Sequence, residues 1–243
     1  VRRTAGMSIS LLRIRHEYIR RRGATAAFAV ARRRCSALAS VGEFASDVAA
    51  RGGEMWVFSY GSLMWQTPPE VRALKRTRAT LHGYERSFCV YSRNYRGTPE
   101  SPGLVLGLQP AAGSKCEGVA VCLGRPDCEL AIVSLEAIDA QEMIAQDNPL
   151  PVYVRRLATL QMDDASAAQT TALAYSANAA PGANAPPGLS LADRAAIISR
   201  ASGGRGPNRE YLEQTASRLQ SLGIRDAHVD ELMACVSGVP LGG

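Results

Sequence analysis

Glu142 stands where a helical wheel expects an apolar residue. The spacing predicts a helix over Asp127–Met143. At 100° per residue, Leu135 falls about 20° from Glu142 and Ile138 about 40° from it, while Glu129 and Glu136 point well away. Glu142 therefore lies on the apolar stripe, near the helix C-terminus. Burial and the negative end of the helix dipole both disfavour its charged form. Such a carboxyl should titrate above the ordinary value of about 4.3, which suits a general acid/base working near neutral pH. A stripe-edge glutamate paired with an arginine satisfies the same wheel, and the wheel does not separate the two.

A second candidate is the segment Tyr60-Gly61-Ser62-Leu63, at the end of the strand-like run Trp56-Val57-Phe58-Ser59-Tyr60. A glycine after a strand lets backbone N–H groups approach a ligand closely, and Ser62 adds a hydroxyl. Such a turn can hold a carboxylate or an oxyanion; an ordinary strand-to-turn junction reads the same way. Arg96-Gly97-Thr98-Pro99-Glu100 and Gly206-Pro207-Asn208 have turn chemistry, with Asn208 expected to cap a following helix. The six cysteines contain no C-x-x-C pair and the three histidines are scattered singly, so zinc-ligand spacing is absent. No Ser/His/Asp or Cys/His arrangement is apparent. Neither a metal nor a disulfide framework is expected, and reduced cysteines suit a cytoplasmic setting.

The elements that must position these residues are mostly strands. Besides residues 56–60, candidates are Thr80–Tyr91, Gly103–Leu108, Gly118–Leu123, Val152–Leu160 and Thr170–Tyr175. Late helices follow Ser190, which forms an S-x-x-D capping box with Asp193, and Asn208, whose helix carries Tyr211, Thr215, Leu219 and Leu222 on one face and ends at Gly223. A last helix runs from about Asp226 to Val236. The expected class is α+β, built on a mixed or antiparallel sheet, either open or closed into a barrel. Residues 176–189, rich in Ala, Asn, Pro and Gly, read as a surface loop, either a solvated connection or a substrate lid.

Charge divides the chain. Residues 1–54 carry eleven arginines and four acids, a net +7, whereas residues 55–243 are net −1. The basic balance thus belongs to an Arg/Ala-rich extension, read as disordered, transit-like or an artefact of the chain's start, with one domain over 55–243. A near-neutral body gives no support for a nucleic-acid groove. A mean hydropathy of −0.08 fits a chain with a substantial core, and no apolar run reaches the roughly 18 residues of a membrane span.

Several of these segments together resemble the ChaC family of γ-glutamylcyclotransferases. They are Trp56–Trp65 (WVFSYGSLMW), Phe88–Leu108 (FCVYSRNYRGTPESPGLVLGL), Cys116–Ala120 (CEGVA), Gln141-Glu142-Met143, Gly206–Leu212 (GPNREYL) and Leu222–Asp226 (LGIRD), in family order over roughly residues 55–236. The resemblance implies a barrel-like sheet with surrounding helices and no cofactor. It implies that the turn formed by Val57, Phe58, Ser59, Tyr60, Gly61, Ser62 and Leu63 holds a γ-glutamyl group, and that Glu142 is the catalytic glutamate. Glutathione would then be the small-molecule substrate, cleaved to 5-oxoproline and Cys-Gly. The chain departs from the family pattern at Ser59, where glycine is usual, and at Gln141, where arginine is common. Two family aromatics are missing, one near Asp147–Leu150 and one near Pro186–Gly188. Action on another γ-glutamyl compound, and ligand binding without turnover, are the alternatives.

Overall fold

The computed structural model describes residues 37–38, 40–143, 150–164, 168–186 and 188–238. In chain order these form β1 (Ala37–Leu38), α1 (Val41–Ala50), β2 (Met55–Ser59), a 3₁₀ turn (Ser62–Met64), β3 (Lys75–Ser92), β4 (Gly103–Gly124), α2 (Glu129–Glu142), β5 (Tyr153–Met162) and β6 (Gln169–Ala177). Then follow α3 (Leu191–Arg200), the short hairpin β7 (Ser202–Gly203) and β8 (Gly206–Pro207), α4 (Asn208–Ser221) and α5 (Ala227–Val236).

Six strands lie in the order β1-β5-β3-β4-β2-β6, and a further pairing of β5 with β6 closes β2–β6 into a five-stranded barrel. Closure leaves no unpaired barrel edge. The β2–β6 pair is parallel, at Val57 opposite Leu173, and the other barrel pairs are antiparallel. The α+β class expected from the strand pattern, and the barrel that the family resemblance implies, are thus the observed architecture. Tyr175, Phe58, Phe88, Leu104, Leu106 and Leu108 are among its most deeply buried side chains.

Two expected strands turn out to be one. Residues 103–108 and 118–123 are the ends of β4, which pairs with β3 from Gly103 opposite Ser92 to Cys122 opposite Lys75. The turn-like run Pro110–Ser114 shifts the register instead of ending the strand. Gly113, at φ +81, takes up the shift in a conformation that an L side chain resists.

The helical ends follow local chemistry at some positions and not at others. The Ser190 hydroxyl accepts from the Asp193 N–H at 3.1 Å, as the capping box predicts. Gly223, at φ +67, ends α4 with its N–H on the Gln220 carbonyl. Asn208, expected as a cap, is instead the first residue of α4 and fully buried. Its side chain reaches across to β4, accepting from the Leu104 N–H at 2.6 Å and donating to the Leu104 carbonyl at 2.8 Å. An amide can satisfy both backbone groups of a buried strand residue, and that long-range demand outweighs a local cap.

Ordered structure also begins upstream of residue 55. β1 pairs with β5, and α1 is capped by Ser40, whose hydroxyl accepts from the Glu43 N–H at 3.2 Å. Phe44 and Val48 of α1 join the apolar core. Most of the Arg-rich extension, residues 1–36 and 39, lies outside the described residues.

Candidate active site

β2 lies between β4 and β6, so its exit is fixed from both sides. Its continuation, Tyr60-Gly61, leads into the 3₁₀ turn, whose first N–H groups have no acceptor within the turn. The fully buried Arg86 side chain backs this exit. Its Nε donates to the Tyr60 carbonyl at 2.7 Å, Nη2 to the Glu117 carbonyl at 2.5 Å, and Nη1 pairs with Asp226 at 2.5 Å. Gly61 packs against the far wall: a Cβ there would make ordinary contact with the Tyr211 hydroxyl at 3.4 Å and with Leu106 at 3.6 Å. Ser59 Oγ is buried without a hydrogen-bond partner, so the serine that replaces the family's glycine is an unsatisfied polar atom in the cavity wall.

α2 delivers Glu142 opposite this turn. Ala131, Leu135 and Ile138 bury one stripe, and Glu142 follows one turn later, whereas Glu129 and Glu136 are exposed. Burial pushes the Glu142 carboxyl up to about 7. A hydrogen bond from Gln141 Nε2 at 3.2 Å and the charge of Arg205 pull the other way, and Asp139 adds to the rise. The arginine that the pairing alternative requires is present but goes elsewhere. Arg155 of β5 binds Asp139 through two bonds of 2.6 and 2.8 Å, and the Tyr175 hydroxyl donates to the same carboxylate at 3.0 Å. Among the described residues Glu142 makes no ion pair. Asp139 therefore pins the last turn of α2 to β5 and β6 and leaves Glu142 to face the cavity.

The cavity has two connected parts. An inner recess is lined by Phe58–Leu63, Leu106, Glu142, Tyr153, Tyr175 and Tyr211. A larger outer recess shares Ser62, Glu142, Tyr153 and Tyr211 and extends to Gln66, Tyr95, Arg96 and Arg205. Phe58, Ser59, Tyr60, Gly61, Ser62 and Leu63 thus gather with Glu142. Val57 does not: it is fully buried in the sheet, paired with Val121 and Leu173, and serves the core. Sheet pairing on both sides of β2 holds it back from the strand's exit, where the recess opens.

Tyr153, Tyr175 and Tyr211 are wall residues that sequence reasoning did not assign to the site. Their only sequence signal is an aromatic at a buried strand or helix position, which a core residue gives equally. Tyr60 donates to the Tyr175 carbonyl at 2.7 Å and Tyr153 to the Leu106 carbonyl at 2.6 Å. Burial raises the pKa of all four tyrosines, so they line the recess as neutral groups. Of the positions where the family aromatics are missing, residues 147–149 and 187 lie outside the described residues.

Arg96-Gly97-Thr98-Pro99-Glu100 is a structural loop. Arg96 Nη1 donates to the Pro207 carbonyl at 3.0 Å and meets Glu210 at 3.3 Å, and a Cβ on Gly97 would stand 2.1 Å from the Gly103 nitrogen. Among the described residues no cluster of three His, Cys, Asp or Glu side chains could hold a metal ion. The site offers one carboxyl with a pKa of about 7, a turn whose first N–H groups have no acceptor within it, and a wall of buried tyrosines. That set is suited to moving a proton beside a bound carbonyl.

A family model described as ChaC-like protein matches residues 55–239. γ-Glutamylcyclotransferase 2-3 of Arabidopsis thaliana is 32% identical over 180 residues, covering 73% of this chain and 86% of that protein. A glutathione-specific γ-glutamylcyclotransferase of Schizosaccharomyces pombe is 31% identical over 198 residues, covering 75% and 92%. The Escherichia coli protein of the same description is 29% identical over 188 residues, covering 76% and 73%. Among solved structures, a yeast γ-glutamyl cyclotransferase specific to glutathione shares the fold, with a TM-score of 0.63 at 21% identity over 76% of this chain and 96% of its own. The closed barrel, the turn after β2 and the glutamate on α2 thus occur in a chain that belongs to the ChaC family.

Proposed function

We propose that the protein cyclises the γ-glutamyl group of glutathione, releasing 5-oxoproline and Cys-Gly, with Glu142 as the general acid/base. The observation that carries this reading is the Glu142 carboxyl, held at about 7 where the two recesses meet and opposite the turn at Gly61. The descriptions of the relatives supply the substrate class. In this reading the γ-glutamyl group occupies the inner recess against Phe58–Leu63. Glu142 removes a proton from the substrate's α-ammonium group, which is mostly protonated at neutral pH. The freed amine attacks its own γ-carbonyl, and N–H groups of the turn stabilise the oxyanion, at about 3 kcal/mol per donor. Glu142 returns the proton to the departing amide nitrogen and the ring nitrogen loses its second proton to solvent, so no water is consumed and no covalent enzyme intermediate forms. Because the attack is intramolecular, holding the folded-back conformer supplies much of the acceleration.

The setting that suits this substrate is a reducing one such as the cytoplasm. Cys89, Cys116, Cys122, Cys128 and Cys235 are free thiols, and among the described residues no helix is long and apolar enough to cross a membrane. The test is product analysis on the full chain and on Glu142→Gln, each incubated with glutathione or with γ-glutamyl-alanine. 5-Oxoproline from glutathione alone, lost in the variant by a factor of about 10³ or more, supports both reaction and residue. Unchanged turnover in Glu142→Gln removes Glu142 from the mechanism. Product from γ-glutamyl-alanine alone moves the substrate to another γ-glutamyl compound, and none from either leaves a binding protein.

A further inference from the structure

The reading above fills the inner recess and leaves the outer one without a role. The two share Glu142, so whatever departs from the γ-carbonyl passes into the outer recess. Arg205 lines that space from the tip of the β7–β8 hairpin. The hairpin is fastened to the loop after β3: the Gly204 N–H donates to the Asn94 carbonyl at 2.8 Å and the Arg205 N–H to the Tyr95 carbonyl at 2.9 Å. The Arg205 guanidinium lies over the Tyr95 ring, 3.8 Å from its centroid. A stacked guanidinium has one face occupied and keeps its edge N–H groups for a ligand. Among the described residues no carboxylate pairs with it. Arg96, in the same recess, is engaged by Glu210 and the Pro207 carbonyl.

We infer that the outer recess is a carboxylate subsite, in which Arg205 recognises the free C-terminal carboxylate of the peptide that leaves. The inference rests on the proposed cyclotransferase reading and adds the feature of the leaving group that the site selects. A planar guanidinium edge matches a carboxylate in geometry and charge. A cation at the mouth also draws an anionic peptide in. Such a site accepts γ-glutamyl peptides that end in a free acid and discriminates against those whose C-terminus is blocked. Arg205 also faces the Glu142 carboxyl and lowers its pKa, an effect that is independent of the substrate's C-terminus and that a second substrate separates.

The test measures 5-oxoproline release by wild type, Arg205→Gln and Arg205→Lys, from glutathione and from glutathione amidated at its glycyl carboxylate. Wild type should favour the free acid by about tenfold in kcat/KM, mainly through KM. At pH 8.5, where Glu142 is mostly ionised with or without Arg205, Arg205→Gln should lower kcat/KM for glutathione about tenfold more than for the amide, erasing the preference. Arg205→Lys should recover part of it. The backbone bond to Tyr95 survives either substitution, so the hairpin keeps its place. A variant that slows both substrates equally, with a shifted pH profile, assigns Arg205 to Glu142 alone and overturns the subsite, as does an unchanged preference. Failure of wild type to release 5-oxoproline from either substrate overturns the cyclotransferase reading, and the subsite with it.

Discussion

A carboxyl held near 7 makes the pH profile a test of the role proposed for Glu142. In that proposal the ionised form accepts the substrate's proton, so kcat/KM should rise with pH and level off above about 7. Gln141→Leu removes a donor that favours the carboxylate, so its rising limb should move to higher pH. Its activity at pH 6.5 should be about two- to threefold lower while the plateau above pH 8 is kept. Stability should respond in the opposite sense. A carboxyl with a folded pKa of about 7, against an ordinary 4.5, binds its proton more tightly in the folded state. Its contribution is therefore present below pH 4.5 and is lost as pH rises to 7. Glu142→Gln should match wild type in urea unfolding at pH 4 and exceed it by about 2 kcal/mol at pH 8, allowing for the residue's partial exposure.

At the scale of elements, one side chain joins the exit of β2, the middle of β4 and the start of α5. Asp226 caps α5, accepting from the Val229 N–H at 3.2 Å, and also receives Arg86. Arg86→Met would leave Asp226 without its cation and remove the guanidinium donor from the Tyr60 and Glu117 carbonyls. The expected loss is about 3–5 kcal/mol in denaturant unfolding. Turnover should fall as well, because the Tyr60 carbonyl that orients the turn is then free to move. The exposed Arg209–Glu213 pair on α4, at 2.8 Å, is the contrast. Glu213→Gln should cost under about 0.5 kcal/mol, since solvent screens the pair and two long side chains lose freedom in forming it.

At the scale of the whole molecule, the barrel uses residues that composition assigns to a tail. Leu38, Phe44 and Val48 are 6%, 0% and 3% exposed, and β1 continues the sheet beyond β5. A chain of residues 55–243 should therefore be less stable than one of residues 37–243 by on the order of 5 kcal/mol, given about 1.5–3 kcal/mol for each large apolar side chain buried. Comparing the urea midpoints of the two chains checks this. Equal midpoints would show that α1 and β1 rest on the barrel without supporting it.

What the sequence determined by itself is local or periodic. Strand alternation and turn residues were enough for the α+β class, the barrel coming from the family resemblance; helical spacing put Glu142 on an apolar stripe, and Ser190 and Gly223 marked helix ends through contacts within a few residues. The structure decided what depends on residues far apart in the chain. Asn208 reads as a cap until Leu104 comes beside it, and Val57 reads as part of the turn until strands on both sides pair with it. Tyr153, Tyr175 and Arg205 reach Glu142 only because the barrel closes and the β7–β8 hairpin folds onto Tyr95. The charge pattern made residues 1–54 look like one segment, but it averages over α1, whose few apolar residues find partners across the core. Short-range hydrogen bonding and periodicity are written in neighbouring residues, whereas a cavity is made by the tertiary packing that brings distant ones together.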